Sequence, residues 1–220
     1  MTLTVHHLHI SQSERIVWLC EELAIDYELK TYKRAPVLAP PEYKALHPQE
    51  TAPVIQDGDV TLAESGACIE YICHQHAEGR LFLPSTHPAY ADFLYWWHWG
   101  NGTFMPTMML SMALRPLGLG DDSFYMAMAK NRFGSAFAAL NERLRENVWL
   151  AGGLFTVADV MVVFVLTTLR YWFPYSLDKY ENVVRYLKRV GEREAYRKAM
   201  KKCEPELEPA LGVEPPKKES

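Results

Sequence analysis

Leu3-Thr4-Val5-His6-His7-Leu8-His9-Ile10-Ser11-Gln12-Ser13-Glu14-Arg15-Ile16-Val17-Trp18-Leu19-Cys20 changes its period within one short stretch. Leu3, Val5 and Leu8 form a β-type run. Ile16, Leu19, Cys20 and Leu23 then recur at helical spacing behind polar N-cap candidates. Strand, tight turn and helix make the first unit, and the alternation continues outward from it. Tyr27 to Tyr32 alternates apolar and polar like a second strand. Ala39-Pro40-Pro41-Glu42 reads as a helix start, because proline is tolerated in the first turn. Pro53-Val54-Ile55-Gln56, the turn Asp57-Gly58-Asp59 and Val60-Thr61-Leu62 read as a hairpin. Ser65-Gly66-Ala67 then opens a helix carrying Ile69, Ile72 and Cys73. Residues 1–79 are expected to run β-α-β-α-β-β-α.

Between Gly79 and Pro88 the composition shifts to Gly, Pro, Ser and Thr, so residues 80–88 read as a linker. Residues 89–207 read as all-helical. Tyr90, Phe93, Leu94 and Trp97 form one stripe and Phe133, Phe137, Leu140 and Leu144 another, with a loop at Arg115 to Ser123 between them. Val157 to Trp172 reads as one buried helix, followed by basic amphipathic segments around Val183 to Val190 and Glu194 to Cys203. Residues 208–220, rich in Pro, Glu and Lys, are expected to be a disordered tail. The fold class is therefore α/β followed by all-α.

Composition removes several functions. With 23 basic against 27 acidic side chains, a net charge of −4 and no Lys/Arg stripe, the chain lacks the footprint of a nucleic-acid binder. The longest apolar stretch, Val160 to Leu169, is about half a bilayer crossing, and no signal segment opens the sequence. A cytoplasmic protein without a membrane partner is expected. Cys20, Cys68, Cys73 and Cys203 show no metal or disulfide rhythm. His6, His7 and His9 resemble a metal cluster, but strand alternation sets His7 on the face opposite His6, so no metal is expected.

Three segments carry a family resemblance: Ser11-Gln12-Ser13-Glu14-Arg15; Ala52-Pro53-Val54-Ile55 followed by Leu62-Ala63-Glu64-Ser65-Gly66-Ala67; and Phe155-Thr156-Val157-Ala158-Asp159. In this order and spacing, over roughly residues 3 to 200, the chain resembles the glutathione transferase superfamily. Tyr95 to Pro106 and Leu46-His47-Pro48 look most like its fungal and bacterial branch. The resemblance implies a thioredoxin-like N-terminal domain that binds glutathione as co-substrate, an all-helical C-terminal domain, a homodimer, and conjugation of the glutathione thiolate to a small hydrophobic electrophile in detoxification.

On that resemblance the site residues take roles that chemistry can explain. An unperturbed thiol titrates near 8.5, so an enzyme using it as nucleophile must stabilise the thiolate. A hydroxyl donor and a helix N-terminus both do so. Ser11 is the candidate, with Ser13 as the alternative, since Ser11 to Glu14 also fits a helix capping box. Pro53 is cis in the family, and Ala52 before it offers its backbone to the cysteinyl part of glutathione. Glu64 can pair with the γ-glutamyl ammonium, while Ser65 and the helix start hold the α-carboxylate. Phe104, Met108 and Tyr171 are the candidate walls for the electrophile. Thr156 and Asp159 form a reciprocal N-cap and carry no chemistry.

Two places depart from the family pattern. Glu50 and Thr51 stand where Gly-Lys is common, with Lys44, His47 or Arg34 as compensating groups, and Asn101 replaces an acidic residue. These changes keep open a binding or regulatory protein with little turnover. A glutathione-dependent peroxidase is the third reading.

Overall fold

The computed structural model describes residues 2–120 and 122–216. Contacts divide the chain into two compact units. The first holds the residues up to Phe82 together with Val190–Pro209, and the second holds Leu83–Arg189 together with the segment from Ala210.

The first unit is built on a four-stranded sheet of order β2-β1-β3-β4. Strand β1 (Leu3–Leu8) is buried along its whole length and pairs parallel with β2 (Tyr27–Tyr32). On its other side it pairs antiparallel with β3 (Val54–Asp57), which turns back into β4 (Val60–Ala63). Gly58 sits at φ 59°, the positive value that a two-residue hairpin turn requires of its first central residue. Helices α1 (Glu14–Leu23), α2 (Pro41–Lys44) and α3 (Ser65–His76) complete the β-α-β-α-β-β-α order. Both faces of β1 are covered, so His6 and His7 are buried although they point opposite ways.

Helix α9 (Glu194–Cys203) belongs to this unit, not to the helical half that the sequence reading assigned to residues 89–207. Its buried stripe of Tyr196, Ala199, Met200 and Cys203 packs on α1, with Tyr196 edge-on to Trp18 at 5.0 Å. The basic outer face meets acids of α1, Arg193 with Glu22 at 2.6 Å and Lys198 with Glu21 at 2.7 Å. Periodicity marks a helix as amphipathic, but it does not say which partner covers the stripe.

The second unit contains α4 (Tyr90–Trp99), α5 (Met105–Leu114), α6 (Phe124–Glu146), α7 (Val157–Leu166) and α8 (Glu181–Glu192), the last crossing the unit boundary. A π-helical turn at Gly100–Phe104 joins α4 to α5. Gly100 permits close packing there, since a Cβ would lie 2.8 Å from Met161 Cγ. Helix α7 ends well before Trp172. Thr167 donates its hydroxyl to the Val163 carbonyl at 2.8 Å and leaves helical backbone geometry, and a 3-10 turn follows at Thr168–Tyr171. Part of the expected disordered tail is ordered. Arg170, fully buried, donates to the Gly212 and Val213 carbonyls at 2.8 and 2.7 Å. Residues 217–220 of that tail lie outside the described residues.

Candidate active site

The turn between β1 and α1 sets two serine hydroxyls 2.7 Å apart. Ser13 occupies the N-cap position of α1, but its backbone is already helical and its side chain caps nothing. Ser11 Oγ accepts the Ser13 N–H at 3.3 Å. Ser13 Oγ turns inward, accepting the Leu8 N–H at 3.0 Å and meeting His7 Nδ1 at 2.9 Å. Ser13 is fully buried and Ser11 is 7% exposed, so the outer of the two hydroxyls is Ser11.

Behind Ser13 the polar chain continues. His7 Nε2 lies 3.0 Å from Glu204 Oε1, an oxygen that also accepts the Ile10 N–H at 2.5 Å. His9 Nδ1 sits against the other Glu204 oxygen. Sequence reasoning missed this group entirely. Glu204 is 197 residues from His7 and directly follows the basic amphipathic segment Glu194 to Cys203, and the pattern of His6, His7 and His9 suggests only a metal cluster.

The Ala52–Pro53 peptide is cis. Ala52 packs against the cluster of Leu8, Tyr43, Val54 and Ala63, which anchors the bend entering β3. Across the hairpin, Glu64 and Ser65 stand where β4 becomes α3. Ser65 is buried and accepts a hydrogen bond from Arg15 Nη1 at 3.1 Å. Arg15 also donates to Gln12, so this one cation ties the first turns of α1 and α3 together. Burial lowers Arg15 to about 9, which leaves it cationic at neutral pH. Glu64 is exposed at φ 73°, where residues other than glycine are strained by about 1–3 kcal/mol. Its side chain makes no cap hydrogen bond to α3.

The candidate replacements for the missing lysine are largely engaged. Lys44 Nζ lies 3.6 Å from Glu50, His47 accepts the Gln49 N–H, and Arg34 donates to the carbonyls of His9, Ile10 and Val37. Arg34 clamps the strand end. Among the described residues no group of three His, Cys, Asp or Glu side chains could hold a metal ion. Cys20, Cys68, Cys73 and Cys203 are buried, and burial pushes each thiol up.

In the second unit Phe104 and Met108, expected as pocket walls, are fully buried. Phe104 stacks on Trp99 at 4.7 Å and meets Phe137 edge-on, so the stripe is core. Tyr171 is half-buried. An apolar cavity of about 300 Å³ is lined instead by Ser111, Leu114, Arg115, Met126, Phe133 and Phe173.

A four-stranded β2-β1-β3-β4 sheet with a serine at the first strand-to-helix turn and a cis-proline entering the third strand matches known families over both halves. The model for the glutathione S-transferase N-terminal domain matches residues 11–75, and that for its C-terminal domain matches residues 124–189. The chain belongs to the glutathione S-transferase family. Among family relatives, glutathione S-transferase 3 of Schizosaccharomyces pombe is 29% identical, covering 92% of this chain and 88% of the relative. Glutathione S-transferase GstB of Escherichia coli is 25% identical, covering 85% and 91%. The crystal structure of a glutathione S-transferase from Actinobacillus pleuropneumoniae superposes with a TM-score of 0.82 at 31% identity, covering 96% of this chain and 99% of that one. A theta-class member from Xanthomonas axonopodis pv. citri, solved with glutathione bound, shares the fold with a TM-score of 0.69 at 24% identity, covering 90% and 96%. No helix among the described residues is long and apolar enough to cross a membrane.

Proposed function

We propose that the first unit binds glutathione with its thiol at Ser11, and that the thiolate attacks a small apolar electrophile to form a carbon–sulfur bond. The observation carrying this reading is the pairing of two helix starts through Arg15. Ser11 lies at the start of α1 and Ser65 at the start of α3, and the Arg15 guanidinium joins their first turns. The α1 start supplies positive potential to a thiolate. The α3 start, backed by a buried cation, supplies it to the α-carboxylate of the tripeptide. Ala52, fixed at the cis bond, would present backbone groups to the cysteinyl residue, and exposed Glu64 would meet the γ-glutamyl ammonium. Arg15 thereby takes over part of the charge that a lysine at position 51 would supply.

The electrophile is assigned to apolar side chains of the second unit, with Tyr171, which is half-buried, retained as the candidate. Homodimerisation, a cytoplasmic location and a role in detoxification belong to the same reading. Light scattering of the purified chain tests the dimer. The buried, up-shifted cysteine thiols do not support a peroxidase cycle through the protein's own sulfur.

Calorimetric titration with glutathione beside a conjugation assay, on wild type and Ser11→Ala, tests the core of the proposal. Binding at millimolar concentration or tighter is expected, with turnover lost in the variant. Absence of glutathione binding would sink the transferase reading. Unchanged turnover in Ser11→Ala would remove Ser11 from the chemistry.

A further inference from the structure

The buried polar chain behind Ser11 has the order and spacing of a proton path, and we propose that it carries the thiol proton to His7. This rests on the reading that the glutathione sulfur lies at Ser11. The links are Ser11 Oγ to Ser13 Oγ at 2.7 Å, Ser13 Oγ to His7 Nδ1 at 2.9 Å, and His7 Nε2 to Glu204 Oε1 at 3.0 Å. Ser13 and His7 are inaccessible and Glu204 is 1% exposed, so water does not bypass them.

Hydrogen-bond bookkeeping fixes the direction. Ionised Glu204 can only accept, so His7 carries its proton on Nε2 and presents Nδ1 as an acceptor. Ser13 then donates to His7 Nδ1 at 2.9 Å in preference to the Leu8 carbonyl at 3.4 Å, and its oxygen accepts the Leu8 N–H and the Ser11 hydroxyl proton. Ser11 consequently offers its oxygen outward as an acceptor. A thiol donating to it passes one proton inward in three concerted shifts: sulfur to Ser11, Ser11 to Ser13, and Ser13 to His7 Nδ1. Each hydroxyl gives up one proton and gains another. The products are a thiolate and an imidazolium, with charge and protons conserved. In the product state His7 donates to Ser13, Ser13 donates to Ser11, and Ser11 donates outward to the thiolate. The same two serines thus first accept from the thiol and then stabilise its anion, and Ser11, Ser13 and His7 Nδ1 keep a hydrogen-bond partner in both states. A buried imidazolium is costly unless paired, and Glu204 is the partner in place to receive it. Ser13, His7 and Glu204 act through Ser11, so they are relay and positioning residues.

The charged and titratable groups around the Glu204 end of the path are His9 at the end of β1, Glu14 of α1, Cys203 of α9 and Arg34 after β2. The test reads the ultraviolet absorbance of the bound glutathione thiolate across pH, beside kcat and KM, in wild type, Glu204→Gln and Ser13→Ala. Wild type should hold the bound thiol below its solution midpoint of about 8.5. Each variant should raise that midpoint by roughly one unit, lowering kcat at neutral pH about tenfold, with recovery at alkaline pH and a KM for glutathione within about twofold. The double variant should shift no further than either single, because both cuts interrupt one path. A merely structural role would lower stability or binding without moving the midpoint. If Glu204→Gln fails to fold, Ser13→Ala decides. An unmoved midpoint in a folded variant overturns the relay alone. A wild type that does not bind glutathione overturns the relay together with the proposed function.

Discussion

Two buried carboxylates hold helix starts in this protein, and they do so in opposite ways. Asp159 lies in the first turn of α7. One of its oxygens accepts the Thr156 N–H, and the other accepts the Leu150 N–H and the Tyr186 hydroxyl, all at 3.0 Å. That network ends within the protein. Glu204 reaches the start of α1 from the far end of the sequence, and its hydrogen bonds run through His7 and Ser13 to Ser11 at the outer edge of the turn. A closed network leaves nothing for a ligand and fixes a helix. An open one ends on a hydroxyl at the edge of the turn, where the proposed thiol would meet it.

The largest expected effect tests the closed side. Asp159→Ala removes the acceptor of the buried Thr156 and Leu150 N–H groups and of the Thr156 and Tyr186 hydroxyls, and should cost about 3 kcal/mol of stability, while kcat/KM per folded molecule stays within about twofold. Denaturant titration beside the conjugation assay measures both, and lost activity at full stability would erase the contrast. On the open side, Ser11→Ala should lower kcat about 10²-fold with an almost unchanged denaturation midpoint, the pattern of a lost hydrogen bond to a developing anion. An equal fall in stability would make Ser11 a second structural group.

The contrast also extends to pH. Burial raises Asp159 from 3.8 to about 6 despite its hydrogen bonds. The folded chain therefore binds that proton more tightly than the unfolded chain does, and stability from this group falls as pH rises from about 4 to about 6. Relative to Asp159→Asn, the wild type should lose about 2–3 kcal/mol across that window. Parallel stability curves for the two proteins would show that Asp159 stays ionised throughout. The smallest effect is expected at the rim of the site. Thr51→Lys should lower the KM for glutathione about threefold to fivefold with kcat unchanged, the contribution of one exposed charge of roughly 1 kcal/mol. A change in kcat instead would give position 51 a part in the chemistry.

The difference between the two carboxylates also explains what could be read from the chain. Thr156 and Asp159 are three residues apart, and a reciprocal cap is a local pattern that spacing alone displays. The hairpin from Val54 to Ala63 and the helix start at Ser65 were legible for the same reason, each being set by neighbours within a few residues, whereas the cis bond at Pro53 was expected only from the family resemblance. Ser11 and Ser13 were legible as a pair but not in their order of depth, because burial depends on what covers the turn. Phe104 and Met108 failed as pocket walls on the same ground, since a helical stripe announces that it will be covered without naming its cover. His7 with Glu204, and Arg15 with Ser65, are long-range pairs that no window could contain.

The sequence by itself determined the β-α-β-α-β-β-α order and the helical half, because periodicity, turn residues and caps are local properties, and the motif segments carried the family resemblance. Tertiary structure alone decided that α9 packs on α1, that Arg170 gathers the segment near Gly212, and that Glu204 stands behind His7. Those choices follow from burial, which makes an apolar stripe or a charged group seek a partner wherever in the chain it lies.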